Sequence, residues 1–243
     1  MIKALIFDCD GVLVDTERDG HRVGFNRAFK AMGIDAEWDV ELYGKLLLVA
    51  GGKERMRAYF DEAGWPAGTE TAEARDELIL RLHKLKTEIT AGLVAEGALP
   101  LRPGISRIVD EAIAVGVRLG VCTTSNPKFI DAVLDLFGPE RKAKFDFVHA
   151  GDVVSKKKPD PEIYELAKQT LGLPTHECMV IEDSRNGLLA ATGAGLPTLV
   201  TTSTYTVDED FTGAVKIVPE LGDEPNVNVR LADLGELAAA AAA

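Results

Sequence analysis

The sequence predicts an α/β protein: a doubly wound parallel sheet, interrupted after its first strand by an all-helical insert. The apolar run Ala4-Leu5-Ile6-Phe7 leads straight into Asp8-Cys9-Asp10-Gly11-Val12-Leu13-Val14-Asp15, as expected of a short buried strand ending at a sheet edge. Residues from about Glu17 to Thr90 contain no convincing strand. From Leu101 onward strand-like and helix-like segments alternate, the pattern of a parallel sheet covered by helices on both faces. The expected division is a core of residues 1–16 and 92–243 and a helical domain of residues 17–91.

Within the helical stretch, Val23, Phe25, Ala28, Phe29 and Met32 recur at helical spacing and Gly33 ends them. Met56, Tyr59 and Phe60 repeat the pattern, with Gly51-Gly52 before them and Gly64-Trp65-Pro66-Ala67-Gly68 after. A long helix is expected over Thr71–Ile89, with Leu78, Leu82 and Leu85 on one stripe. In the alternating part, Pro103-Gly104 opens a helix carrying Ile105, Ile108, Val109 and Ile113. Val117–Cys122 reads as a strand, 127–137 as a helix and Phe145–His149 as a strand. Lys156-Lys157-Lys158-Pro159-Asp160-Pro161 leads into a helix to Leu171, then comes the strand Cys178–Ile181. Glu182-Asp183-Ser184 ends that strand, a helix runs to Thr192, and Pro197–Thr201 is a further strand. The closing 238–243 alanine run reads as a helix end or tail.

At 243 residues, 46% hydrophobic and 27% charged, the chain has the composition of a soluble globular protein able to bury a sizeable core. Its formal net charge of -12 argues against nucleic acid as a partner, since no basic surplus exists to displace counterions. A phosphorylated small molecule is not excluded, because a local cationic pocket and a bound divalent metal both escape such a sum. Cys9, Cys122 and Cys178 sit in or beside apolar runs without metal-type spacing, as reduced core thiols would. The N-terminus lacks a signal-peptide pattern and no run approaches membrane-spanning length. The expectation is a cytoplasmic monomer with no membrane partner.

The chemistry is read from position. Asp8/Asp10, Thr123, Lys158 and Glu182/Asp183 each fall at the C-terminal end of an expected strand or in the loop leaving it. In an open parallel sheet those ends gather at the ligand-binding edge. Side chains at i and i+2 of an extended backbone point the same way, so Asp8 and Asp10 share a face and need a cation, a proton or both. The carboxylates make an oxygen-rich site suited to Mg²⁺, while Lys158 and Thr123 offer a charge and a donor to an oxyanion. Asp8 is then the candidate nucleophile toward a phosphate ester, and Asp10 the candidate acid and base.

These motifs resemble those of the haloacid dehalogenase superfamily, in its helical-cap phosphatase branch. Asp8-x-Asp10-Gly11-Val12 is similar to its first motif, Thr123 to its second, Lys158-Pro159 to its third and Glu182-Asp183-Ser184 to its fourth. The resemblance implies a Rossmann-like core and Mg²⁺ held by the carboxylates of Asp8 and Asp183 and the main-chain carbonyl of Asp10. It implies Glu182 on a metal-bound water, Thr123 and Lys158 on the transferring phosphoryl group, and Asn126 orienting the same region. The start Asp8–Glu17 and the loop Gly51-Gly52-Lys53-Glu54-Arg55 look most like the CbbY group, which implies xylulose-1,5-bisphosphate, a Rubisco inhibitor, as substrate. The same motifs fit a phosphosugar mutase of the β-phosphoglucomutase type or a phosphoglycolate-type phosphatase; the full set speaks against a binding protein without activity.

The insert is then expected to act as a lid hinged near Asp15–Glu17 and Ile89–Leu101, excluding water and choosing the substrate. Candidate selectors are Glu17, His21, Lys53 and Arg55, with Tyr43 behind them and Thr124 on the core. Lys53 and Arg55 beside a glycine pair suit a second phosphate; their alternative is a charged helix start at the surface. Thr123 has a second reading as a helix cap, for which Thr124 and Ser125 also qualify. Lys156 and Lys157 read as a solvated turn, His149 as structural and His83 as facing solvent.

Overall fold

The computed structural model describes residues 1–49 and 51–241; the last two alanines of the closing run lie outside the described residues. The chain forms two compact units, one of Met1–Asp15 with Leu99–Ala243, the other of Thr16–Ala98. The second boundary lies beyond residue 91 because the long helix of the smaller unit continues past Ile89.

Strand β1 (Ala4–Phe7) opens the larger unit, every residue of it buried. The smaller unit begins with a π-helical turn over Glu17–His21 and continues as α1 (Arg22–Ala31), α2 (Val40–Leu46), α3 (Gly52–Ala63) and α4 (Ala72–Ala95). α2 escaped the sequence reading because it is short; Asp39 caps it, accepting a hydrogen bond from the Leu42 N–H at 2.7 Å. The core of this unit is aromatic, with Phe25, Phe29, Trp38, Tyr43 and Phe60 all buried. On α4 the buried stripe is Ile79, Leu82, Lys86, Thr90 and Leu93, while Leu78 and Leu85 are half-buried. Leu82 holds its expected place, while the flanking positions of the stripe shift by one, from Leu78 to Ile79 and from Leu85 to Lys86. A lysine fits it because its alkyl stem can be covered while the amine finds partners: Lys86 Nζ lies 4.9 Å from the centre of the Phe25 ring.

The larger unit resumes with α5 (Ile105–Ala114), β2 (Arg118–Thr123), α6 (Pro127–Asp135), α7 (Pro139–Lys142) and β3 (Phe145–Ala150). It ends with α8 (Glu162–Leu171), β4 (Cys178–Glu182), α9 (Arg185–Gly193), β5 (Thr198–Thr201), β6 (Lys216–Val218) and α10 (Leu231–Ala241). The six strands form one sheet in the order β3-β2-β1-β4-β5-β6, with every neighbouring pair parallel. The order reverses at β1, the switch point at which open α/β sheets bind ligands. β6 and the leading part of α10 were not foreseen: a three-residue strand shows no periodicity, and α10 reads in sequence as a mere alanine tail. Among the described residues no helix is long and apolar enough to cross a membrane, and Cys9, Cys122 and Cys178 are free and buried.

Candidate active site

Four consecutive strands of the sheet, β3, β2, β1 and β4, deliver the polar groups singled out in the sequence. Lys158, in the loop after β3, donates to Asp8 Oδ1 at 2.6 Å, to the Cys122 carbonyl at 3.0 Å and to Glu182 Oε1 at 2.6 Å. One amine thereby ties together residues that leave β1, belong to β2 and end β4. Asp8 and Asp183 are each 7% exposed and Glu182 is fully buried. Two glycines make the room: a side chain at Gly187 would overlap the Glu182 carboxylate, and one at Gly11 would overlap that of Asp183. Gly11 also turns the chain away from the strand with a φ of 79°, a conformation that favours glycine.

Asp10 lies on the β2 side of this group. Its Oδ2 accepts hydrogen bonds from the Ser125 hydroxyl and, at 3.5 Å, from the Thr123 hydroxyl. Thr123 is buried as the last residue of β2, and its oxygen accepts from the Ser125 N–H at 3.2 Å. The helix-cap reading of Thr123 therefore fails. The cap of α6 is Asn126, whose side chain accepts from the Lys128 N–H at 2.9 Å. Thr124 is exposed.

The electrostatics follow from burial. Desolvation, reinforced by Glu182 and Asp10 and opposed by Lys158, pushes the Asp8 carboxyl up to about 7. Asp183 is raised well above the carboxylate range by burial and by Asp8 and Glu182, against a hydrogen bond from Ser203. Burial works most strongly against the Lys158 ammonium, but Asp8 and Glu182 outweigh it and hold the amine charged. Asp8, Glu182 and Asp183 bring ligand oxygens within 4.8 Å of one another. A buried set of carboxylates only partly neutralised by one lysine has the oxygen-rich chemistry that suits a hard divalent cation.

A family model described as haloacid dehalogenase-like hydrolase matches residues 2–195, which takes in every group above except Ser203. The chain belongs to the haloacid dehalogenase-like hydrolases. Within that family it is similar to a CBBY-like protein of Arabidopsis thaliana, 52% identical over 97% of this chain and 74% of that one. It is 40% identical to the plasmid-encoded protein CbbY of Cupriavidus necator, over 98% of this chain and 96% of that one. Among solved structures it resembles a mutant of Rhodobacter sphaeroides CbbY in complex with xylulose-(1,5)bisphosphate, with a TM-score of 0.77 and 40% identity. That likeness covers 96% of this chain and 99% of the other. The chain is thus a hydrolase of the CbbY group.

The candidates in the helical unit fall into two sets. Tyr43 donates to Glu17 Oε2 at 2.5 Å and accepts from Arg55 Nη1 at 2.9 Å, while Arg55 Nε donates to the Leu46 carbonyl at 3.1 Å. Arg55 is 7% exposed, so the surface reading of this arginine is corrected: α3 turns it inward against α2. Replacing it with alanine is expected to destabilise the protein by about 2 kcal/mol, the worth of its hydrogen bonds in a buried setting, readable as a lowered melting temperature. In the second set, Lys86 Nζ lies 3.0 Å from His21 Nδ1. An ammonium only donates, so Nδ1 accepts and the His21 proton resides on Nε2. His83 is half-buried rather than solvent-facing. Burial, then Lys86 and Lys53, lower its basicity. Lys53 is half-buried at the start of α3.

Sequence reasoning passed over Ser203 and the role of Ser125 among the contributors to the core site. Ser203 lies two residues past the end of β5, in the loop leaving that strand, so the strand-end rule applied to Lys158 would have found it. Ser125 reads in sequence only as a cap, whereas it precedes the Asn126 cap of α6 and its hydroxyl meets Asp10.

Proposed function

We propose that this hydrolase removes a phosphoryl group from a small phosphorylated sugar through an aspartyl-phosphate on Asp8, with Mg²⁺ as its metal and xylulose-1,5-bisphosphate as its substrate. The observation that carries the reading is the Lys158 amine joining Asp8, Glu182 and the β2 backbone in a buried acidic group. Similarity to a protein solved in complex with that bisphosphate supports the choice of substrate.

In this reading a free oxygen of Asp8 attacks phosphorus and the ester P–O bond breaks. Asp10, set by the Thr123 and Ser125 hydroxyls, gives its proton to the departing sugar oxygen. The same carboxylate then takes a proton from water as that water attacks the phosphorus of the aspartyl-phosphate. Phosphate leaves and Asp8 is restored. Lys158 and Thr123 hold the phosphoryl oxygens. Mg²⁺, when held by Asp8, Asp183 and the Asp10 carbonyl with Glu182 alongside, supplies the charge that offsets repulsion between carboxylate and phosphate.

A panel of sugar mono- and bisphosphates, run with Mg²⁺ and with EDTA, tests the proposal. Magnesium-dependent release of phosphate, highest with the bisphosphate, is the expected outcome. A product that is an isomerised sugar phosphate formed only with a bisphosphate activator would replace it with a mutase. The helical unit is assigned the selection of the substrate, with Lys53 reading a second phosphate. Lys53→Ala is accordingly expected to lower kcat/KM for the bisphosphate about tenfold, as loss of a charge-assisted contact does. Turnover of small monophosphates should change less than twofold, and equal losses on both substrates would remove Lys53 from recognition.

A further inference from the structure

Tyr164 lies on α8, fully buried, and no step above uses it. Its hydroxyl donates to Glu182 Oε1, the same oxygen that Lys158 reaches at 2.6 Å. Lys158 Nζ also stands 5.1 Å from the centre of the Tyr164 ring, within the range at which a ring face attracts a cation. The other oxygen of Glu182 accepts from the Asp183 N–H at 3.2 Å.

An ammonium has three N–H groups, and Lys158 directs them at Asp8, Glu182 and the Cys122 carbonyl. To hold a phosphoryl oxygen, it must loosen one of these bonds. A buried carboxylate that loses a donor without replacement is strongly disfavoured. Among the described residues, Glu182 Oε1 is the one of these acceptors that a second side-chain donor, Tyr164, reaches.

Building on the function proposed above, we propose that Tyr164 is a positioning residue for the phosphoryl transfer. Its hydroxyl keeps Glu182 satisfied and oriented while Lys158 turns an N–H toward the substrate, and its ring backs the ammonium through that movement. The effect falls on the chemical step rather than on sugar binding. It also falls on the metal group, because Glu182 is one of the three buried acids whose oxygens lie within 4.8 Å of one another.

The test is Tyr164→Phe, which keeps the ring and removes only the hydroxyl. The expected result is a kcat lowered about tenfold at a KM within about twofold of the parent, with unchanged circular dichroism. Calorimetric titration of the variant with MgCl₂ alone should show affinity weakened about threefold, a readout that does not pass through turnover. A kcat within twofold of the parent, or an unchanged Mg²⁺ affinity, would overturn the inference. A parent protein inactive on every phosphorylated sugar would instead sink the proposed function, and the Mg²⁺ titration would still decide whether Tyr164 steadies Glu182.

Discussion

Asp8→Asn should remove turnover, by roughly a thousandfold or more, because no other carboxylate is placed to form the covalent intermediate. The amide is nearly isosteric, so its oxygen can still accept from Lys158. Two opposing effects act on stability. Lys158 loses one of its two carboxylate partners, but a charge that burial disfavours, enough to lift the Asp8 carboxyl to about 7, is also gone. The melting temperature is therefore expected to stay within a few degrees of the parent, as measured by circular dichroism alongside steady-state kinetics. Loss of activity through unfolding would leave the nucleophile unassigned, and retention of more than a few percent of activity would exclude Asp8.

Chelation should also abolish turnover, and it should lower the melting temperature by an amount that depends on pH. The sign follows from linkage. Burial lifts the Asp8 carboxyl from about 3.8 in the unfolded chain to about 7 in the fold, and Asp183 is displaced in the same direction. Between about pH 4 and pH 7 the folded, chelated protein thus binds more protons than the unfolded chain. Its stability is full below the unfolded value and drains away as pH rises through the folded one. A divalent cation binds the ionised form, so it competes with those protons and restores what is lost. Melting curves with EDTA and with excess Mg²⁺ should nearly coincide at pH 5 and separate by several degrees at pH 8. A gap that is constant across that range would mean the metal does not sit on these carboxylates.

The fold was legible wherever a segment's own periodicity decided its state. β1 could be bounded to the residue because the apolar run Ala4–Phe7 stops against Asp8. β4 was equally clear, with Glu182 ending it. Strand ends then located the site, since parallel strands put their C-termini on one edge whatever their order. What stayed hidden depends on pairing between distant residues. Tyr164 belongs to an apolar stripe with Ile163, Ala167 and Leu171 on α8, so in sequence it is a core residue, and only the fold brings its hydroxyl to Glu182. Arg55 reads in sequence as a candidate for a second phosphate, with a surface charge as the alternative, because its partners, Tyr43 and the Leu46 carbonyl, lie on another helix. Lys86 was invisible for the same reason: a buried lysine becomes tolerable only once His21 and the Phe25 ring are known to face it.

The most direct measurement is chemical trapping of the intermediate. The protein is mixed with xylulose-1,5-bisphosphate and Mg²⁺, quenched in acid within a turnover, reduced with borohydride and digested for mass spectrometry. Borohydride reduces an acyl phosphate to an alcohol, so an aspartate that carried phosphate becomes homoserine. Homoserine at position 8, dependent on both substrate and metal, is the expected result. Steady phosphate release with Asp8 unmodified, or with the label on another residue, would contradict phosphoryl transfer through the buried acidic group that Lys158 holds together.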